Sequence, residues 1–358
     1  MKKAYLILDD GQVFEGYRFG AEGDAVGELV FNTGMVGYIE TLTDPSYGGQ
    51  IVLQTFPLIG NYGMNEEDWE GKPAPSGYVV REWCDTPSNF RSTGTVDAFL
   101  KKAGIPGIFG VDTRQITRII REKGVMNAII ADSVPADLSA LHTYTITDAV
   151  KKASCDTPAV YPAQGEEKHK VTLIDYGCKK STIRWMTAQG CTVTAVPCHT
   201  LAGDILAGNP DGVVLSGGPG DPTENTEYIE EIRCLLGKVP MLGIGLGHQM
   251  LALANGGKTI KLKYGHRGAN QPAKEIFGHR TYITSQNHGY AVETDSIGEG
   301  GRVTMINAND GTCEGIEYPA LRAFSVQFDP ETCSGPLGKN PLLDQFINWM
   351  GGTNNAAE

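Results

Sequence analysis

Short runs in which apolar and β-branched residues alternate or cluster open the chain, at residues 5–8, 28–31 and 50–54, each bounded by turn formers. They predict a strand-rich first domain. A helical period follows at 113–123: Ile116, Ile119 and Ile120 recur at helical spacing, Asp112 stands where a side chain caps the first free amides, and Gly124 stands where a helix ends. Over 151–168 the periodicity lapses into Lys, Ser, Pro, Gln and Glu, the pattern of an exposed connector. Beyond it, buried-type strands at 170–175, 192–196, 212–216 and 239–244 alternate with helices at 181–189 and from near His248. Such alternation predicts a doubly wound α/β domain with a mostly parallel sheet, its site at the carboxyl ends of the strands. The expected organisation is a strand-rich α/β domain over 1–150, a linker over 151–168 and the doubly wound domain over 169–358.

Composition narrows the function classes. At 358 residues, 41% hydrophobic and 20% charged, the chain is long enough for two cored domains. A formal net charge of -12 disfavours nucleic acid and anionic lipid, which attract clustered Lys and Arg. The apolar run after Lys2 and Lys3 stops at Asp9 and Asp10, short of a secretory signal, and no stretch approaches the roughly 18 apolar residues of a membrane span. A cytoplasmic protein is expected. Eight scattered cysteines form no C-x-x-C pair and read as reduced thiols, mostly buried or half-buried. His248, His266, His279 and His288 are spaced like no known ligand motif, so no metal site is expected.

Four segments carry candidate chemistry. The run 243–249, Gly-Ile-Gly-Leu-Gly-His-Gln, follows a buried strand and precedes a helix. This is the pattern of a nucleophile elbow, in which a sharp turn lifts one side chain above the sheet and the next amide helps bind an oxyanion. The lifted position here is Gly245, which has no side chain to attack with. The loop 216–222, Ser-Gly-Gly-Pro-Gly-Asp-Pro, ends a strand and can aim backbone amides at a carbonyl or anion. The runs 286–290, Gln-Asn-His-Gly-Tyr, and 324–331, Phe-Ser-Val-Gln-Phe-Asp-Pro-Glu, each close an apolar stretch with polar groups.

Together these segments resemble the class I glutamine amidotransferase domain, whose elbow reads G-x-C-x-G and whose last strand ends in H-P-E. The first domain sharpens the resemblance to the carbamoyl-phosphate synthase small chain. Its marks are Asn32-Thr-Gly-Met-Val-Gly-Tyr38, Leu42-Thr-Asp-Pro-Ser-Tyr47, Ile59-Gly-Asn-Tyr-Gly63 and Asp112-Thr-Arg114, joined in the second domain by Lys263-Tyr-Gly-His-Arg-Gly-Ala-Asn270. It covers nearly the whole chain. The family's small chain releases ammonia from glutamine, and a large chain uses that ammonia with bicarbonate and two ATP to make carbamoyl phosphate for arginine and pyrimidine synthesis. The resemblance therefore implies a large-subunit partner that holds ATP and Mg, and no cofactor in this chain.

Carried over by position, the nucleophile falls on Gly245, the base on Asp329 and the orienting carboxylate on Glu331, and only Glu331 keeps the family's residue. The glutamine-binding positions fall on Ser46, Gly218, Gly220, Leu246, Gln249, Asn287, Gly289 and Tyr290, the last often Phe in the family. The amides of Gly218 and Leu246 would be the oxyanion donors. Glycine offers no nucleophile, and an aspartate is a poor substitute for an imidazole because its ordinary pKa is about 3.9. Losing nucleophile and base together costs about a millionfold in turnover. The resemblance thus implies a small subunit that has lost its own glutaminase step and supports ammonia-dependent synthesis. A dead paralogue acting as scaffold or glutamine-binding regulator of a large subunit is the alternative.

Overall fold

The computed structural model describes residues 2–332 and 341–351. They form two compact units, 1–149 and 150–358. In the first unit seven strands close a barrel: β1 (Lys3–Leu8), β2 (Val13–Gly20), β3 (Ala25–Asn32), β4 (Gln50–Gln54), β5 (Gly77–Val80), β6 (Pro106–Phe109) and β7 (Met126–Ala131). They run in the order β1-β2-β6-β5-β4-β3-β7, with β7 pairing back onto β1. Closure removes the sheet edges, and Val30, Val52, Tyr78 and Val80 share a buried core with Tyr38, Leu42, Val96 and Leu100 of the helices packed on the barrel. The expected helix is present as α1 (Thr113–Lys123): Asp112 Oδ1 accepts from the Gln115 amide at 2.9 Å, and Ile116 and Ile120 are fully buried.

The second unit is built on a ten-stranded sheet. Its strands are β8 (Ala159–Tyr161), β9 (His169–Asp175), β10 (Cys191–Pro197), β11 (Gly212–Leu215), β12 (Met241–Ile244), β13 (Thr259–Glu275), β14 (Thr281–Val292), β15 (Arg302–Asn307), β16 (Cys313–Tyr318) and β17 (Ala323–Val326). The order is β8-β10-β9-β11-β12-β17-β16-β15-β13-β14. From β10 through β17 the pairings are parallel, which is the doubly wound core. Successive residues face opposite sides: Val213 and Leu215 join one apolar cluster and Val214 the other, as do Met241 against Leu242 and Ile244. Helices α2 (Lys180–Ala188) and α3 (Leu246–Ala254) follow β9 and β12. The carboxyl ends of β9, β11, β12 and β17 are thereby adjacent.

Two expectations need correction. The stretch 151–168 is no bare connector: it carries the end of the helix Ala149–Ala153 and then β8, which pairs antiparallel with β10 as an edge of the sheet. The α3 helix starts at Leu246, two residues before His248, because the elbow turns directly into it. No helix among the described residues is long and apolar enough to cross a membrane.

Candidate active site

The turn between β12 and α3 is held by backbone contact. Gly245 N donates to Val326 O at 2.9 Å and Gly247 N to Ser216 O at 3.0 Å. Its flanking glycines are compelled by space: a Cβ on Gly243 would lie 2.8 Å from Gly247 O, and one on Gly247 would lie 2.2 Å from Leu215 O. At Gly245 the constraint is different. Its φ is 55° and ψ -110°, yet a Cβ there would meet nothing nearer than Gly217 Cα at 3.5 Å and Gln327 O at 3.9 Å. The turn is shaped to raise a side chain, at a backbone cost of about 1–3 kcal/mol for a residue other than glycine, and the position is vacant of one.

Gly218 and Leu246, the residues expected to supply oxyanion amides, lie side by side. Gly218 packs so closely under the strand ends that a Cβ there would lie 2.2 Å from Tyr176 O and 3.1 Å from Leu246 Cδ2. Leu246 is the first residue of α3, where the helix adds partial positive charge. Neither the Gly218 nor the Leu246 amide donates to another group among the described residues. An amide carbonyl laid against them would be polarised.

The base side is rebuilt. Beyond β17, the Asp329 amide donates to Ser285 O at 3.0 Å, and its carboxylate Oδ2 pairs with Lys179 Nζ, both side chains four-fifths buried or more. Glu331 Oε1 accepts from Ser181 Oγ and Thr182 Oγ1 at 2.9 Å each, while Oε2 is buried and accepts from no described group. A carboxylate that orients a catalytic imidazole accepts its ring N–H; an ionised aspartate has no proton to give. Lys179, Ser181 and Thr182 were missed from the sequence, although the polar run after β9 marks a strand's carboxyl end, where a site is expected.

Of the expected glutamine positions, the second unit holds seven. Gln249 is 3% exposed, and its Nε2 donates to Tyr290 O at 2.8 Å and to Gln327 Oε1 at 2.9 Å, which leaves its Oε1 as the group for a ligand. Asn287, Gly289 and Tyr290 lie on β14, paired with β13, and Tyr290 is tied to α3 through Gln249. Gly218 and Gly220 lie on the loop after β11, Gly220 with φ 93°. Ser46 belongs to the first unit, in the turn Pro45–Tyr47, where its amide donates to Asp44 Oδ1 at 2.8 Å. Gln327 is a further member the sequence did not single out.

Seven cysteines are described, none in a disulfide; Cys333 lies outside the described residues. Burial pushes the Cys155 and Cys191 thiols up to about 11 and the Cys313 thiol up to about 12, so they stay protonated at neutral pH.

Three residues far apart in sequence do converge: His266, His288 and Glu314 place potential ligand atoms within 4.8 Å of one another, which their spacing did not foretell. Most of their polar atoms already have protein partners, while His266 Nδ1 is buried with none at hydrogen-bond distance. His266 Nε2 lies 2.9 Å from Asp310 Oδ2 and Nδ1 3.6 Å from Glu314 Oε1, while Glu314 also accepts from Asn307 Nδ2 at 3.0 Å and Gln286 Nε2 at 2.8 Å. Burial works to lower the His266 pKa, but the Glu314 and Asp310 carboxylates outweigh it and raise it. The Glu314 and Asp310 carboxylates thus favour the protonated form of the His266 ring. His288, with Nδ1 2.7 Å from Tyr290 O, is driven well below the ordinary histidine range by burial and then by the His266 charge. His248, hydrogen-bonded through Nδ1 to Ser325 Oγ at 2.8 Å, is lowered by burial to about 3.

Residues 172–349 match the family described as glutamine amidotransferase class-I, and residues 6–130 match carbamoyl-phosphate synthase small chain, CPSase domain. Curated relatives include the carbamoyl phosphate synthase small chain of Listeria monocytogenes serotype 4b, 48% identical over 358 residues and covering 98% of each chain. That of Syntrophotalea carbinolica is 49% identical over 369 residues, covering 97% of this chain and 98% of its own. Among solved structures, a glutamine amidotransferase from Thermotoga maritima aligns with TM-score 0.39 at 20% identity, over 46% of this chain and 76% of that one. The chain belongs to the carbamoyl-phosphate synthase small-chain family.

Two outcomes are expected. Gly245→Cys folds, losing about 1–3 kcal/mol in urea denaturation because only backbone strain opposes it, whereas Gly247→Ala, driven into Leu215 O, fails to give soluble protein or loses more; equal losses would refute this account of the turn. The combined contribution of His248, His266 and His288 to the stability of the second unit peaks near pH 6.5, the ordinary histidine pKa. Below it, His248 and His288, whose folded pKa values are depressed, lose stability as the unfolded chain takes up protons. Above it, stability present at low pH is lost as pH rises through the raised pKa of His266, each uncompensated proton being worth about 1.4 kcal/mol per pH unit. Thermal melts of His266→Gln should keep the acid limb and flatten the alkaline one; an unchanged alkaline limb would exclude the imidazolium.

Proposed function

We propose that this chain is the small subunit of a carbamoyl-phosphate synthase that runs on free ammonia, its own glutaminase half-reaction being lost. The observation that carries the reading is the apex of the elbow: Gly245 offers no nucleophile in a turn with room for one. The Lys179–Asp329 ion pair at the base position and the undonated Glu331 Oε2 support it, because no group there takes or relays a thiol proton. In this reading the large subunit binds ATP and Mg and joins ammonia to bicarbonate in the cytoplasm, serving arginine and pyrimidine synthesis. This chain supplies the surface on which that subunit is completed.

A second reading draws on a separate observation. The Gly218 and Leu246 amides and Gln249 Oε1 remain available, so the pocket can hold glutamine without cleaving it, and the chain would then act as a glutamine-sensing scaffold for the large subunit. Calorimetric titration with glutamine separates the two: saturable binding supports the sensor, and its absence leaves the ammonia-dependent subunit.

The deciding assay is carbamoyl-phosphate formation by the chain co-purified with its large subunit, with glutamine or ammonium as nitrogen donor. Ammonium-driven synthesis is expected, with glutamine-driven synthesis lower by about the millionfold that follows from losing both groups, roughly 8 kcal/mol of barrier. Gly245→Cys combined with Asp329→His should bring back glutamine use, and neither change alone should. Equal rates from glutamine and ammonium in the unaltered pair would end this reading.

A further inference from the structure

His266, His288 and Glu314 converge from β13, β14 and β16 and are only 8%, 7% and 0% exposed. The antiparallel register of β13 and β14 sets the two histidines directly opposite each other, and their rings meet edge to face with centroids 4.9 Å apart. An imidazole that binds a metal ordinarily gives its far N–H to a carboxylate or a backbone carbonyl, which fixes the tautomer and leaves the near nitrogen bare. Both rings are set in this way. His266 Nε2 faces Asp310 Oδ2 at 2.9 Å, and His288 Nδ1 faces Tyr290 O at 2.7 Å, a carbonyl that can only accept. Glu314 is itself held, by Asn307 Nδ2 at 3.0 Å and Gln286 Nε2 at 2.8 Å.

The near nitrogens are the ones the protein leaves unanswered. His266 Nδ1 is buried without a hydrogen-bond partner and lies 3.6 Å from Glu314 Oε1. Donors about 2.1 Å from a tetrahedral zinc stand about 3.4 Å apart, so this pair already has the separation of two ligands on one ion. His288 Nε2 lies 3.0 Å from Gln286 Oε1, the acceptor end of an amide whose Nε2 already donates to Thr284 Oγ1 and Glu314 Oε2. With the ring hydrogen on Nδ1, two acceptors therefore oppose each other in a buried place, and burial drives His288 well below the ordinary histidine range, which disfavours a second proton between them. A proton on His266 leaves that opposition standing. Two imidazoles with carboxylate oxygen suit zinc and its first-row neighbours, whereas calcium and magnesium take oxygen ligands, and the Asp310 and Glu314 carboxylates match a divalent charge. We propose that His266 Nδ1, His288 Nε2 and Glu314 Oε1 bind a zinc-class divalent cation, with Gln286 Oε1 as a fourth donor. The site is structural: it ties β13, β14 and β16 together. Through Tyr290 O, which also accepts from Gln249 Nε2, it steadies the strand that carries Asn287, Gly289 and Tyr290.

The test uses the full-length chain, stripped with a chelator and titrated with zinc alone, with retained metal counted by atomic absorption after dialysis and stability read from thermal melts. One zinc per chain is expected, with a melting temperature that rises as zinc is added. Asp310→Asn, a change at an exposed position that keeps the side chain's shape, should weaken zinc binding about 10–100-fold, the usual effect of losing an outer carboxylate. His266→Gln and His288→Gln should weaken it further. Cobalt in place of zinc should give visible bands of nitrogen and oxygen ligation in the unaltered chain, a readout that does not depend on any variant folding. An intense thiolate band in the near ultraviolet would put the metal on cysteines and overturn the site. Zinc binding by Asp310→Asn and His266→Gln within twofold of the unaltered chain would overturn it as well, as would the absence of saturable zinc or cobalt uptake by the unaltered chain.

Discussion

The contact of Gly247 with the carbonyl of Leu215 governs the site. Helix α3 begins flush against the end of β11, close enough that no side chain fits between them, and the same approach lets the Gly247 amide reach Ser216 O. Because β11 and β12 are neighbouring parallel strands, the helix that follows one and the glycine loop that follows the other are forced to share a mouth. The Leu246 and Gly218 amides meet there as a consequence. What keeps them together is burial: Met250, Leu251 and Ala252 of α3 are fully buried against Val213, Leu215 and Met241, and each large apolar side chain so buried contributes about 1.5–3 kcal/mol. The placing of Gly218 beside Leu246 is thus a product of sheet and helix packing and needs no nucleophile to hold it.

Charge balance on the other wall explains how the base position tolerates an acid. A carboxylate introduced beside Glu331 without compensation would set two negative charges against each other in a half-buried pocket. Lys179 pairs with Asp329, and Glu331 draws on the hydroxyls of Ser181 and Thr182 instead. The Asp329 carboxylate thus meets a cation, while Glu331 is held by two neutral hydroxyl donors. The one cost left visible is Glu331 Oε2, buried with no donor, at the side of the carboxylate that an imidazole would otherwise occupy.

Elements with at least one buried face were legible from the sequence, and those without were not. Helix α1 and the strands β9 through β12 follow their apolar periods closely, because each presents a continuous face to a core. Strand β8 was read as connector since it is a three-residue edge strand with Val160 65% and Tyr161 40% exposed, so it carries no alternation to detect. Closure of the barrel depends on pairings such as β3 with β7, set by register and not by local pattern. At the site, glycine spacing gave away the elbow. The partners of Glu331 lie 150 and 149 residues upstream, and the meeting of His266 with His288 and Glu314 requires the irregular pairing of β13 with β14. Contacts of that range leave no trace in a single chain's periodicity.

The elbow separates two properties that an active amidotransferase combines. An amide hydrolase stabilises the oxyanion of a tetrahedral adduct, and the adduct exists only if something has attacked the carbonyl. In the ammonia-dependent reading, with glycine at the apex, the two amides meet only a ground-state carbonyl, a weaker hydrogen-bond acceptor than an oxyanion. Their energy can then contribute to holding a ligand and not to lowering a barrier. The geometry that chemistry would require is kept here by packing alone, through Gly247 against Leu215 and Gly218 against Tyr176. A polar pocket of this kind stays in register without its nucleophile, since the contacts that define it are those that hold the sheet to its helix.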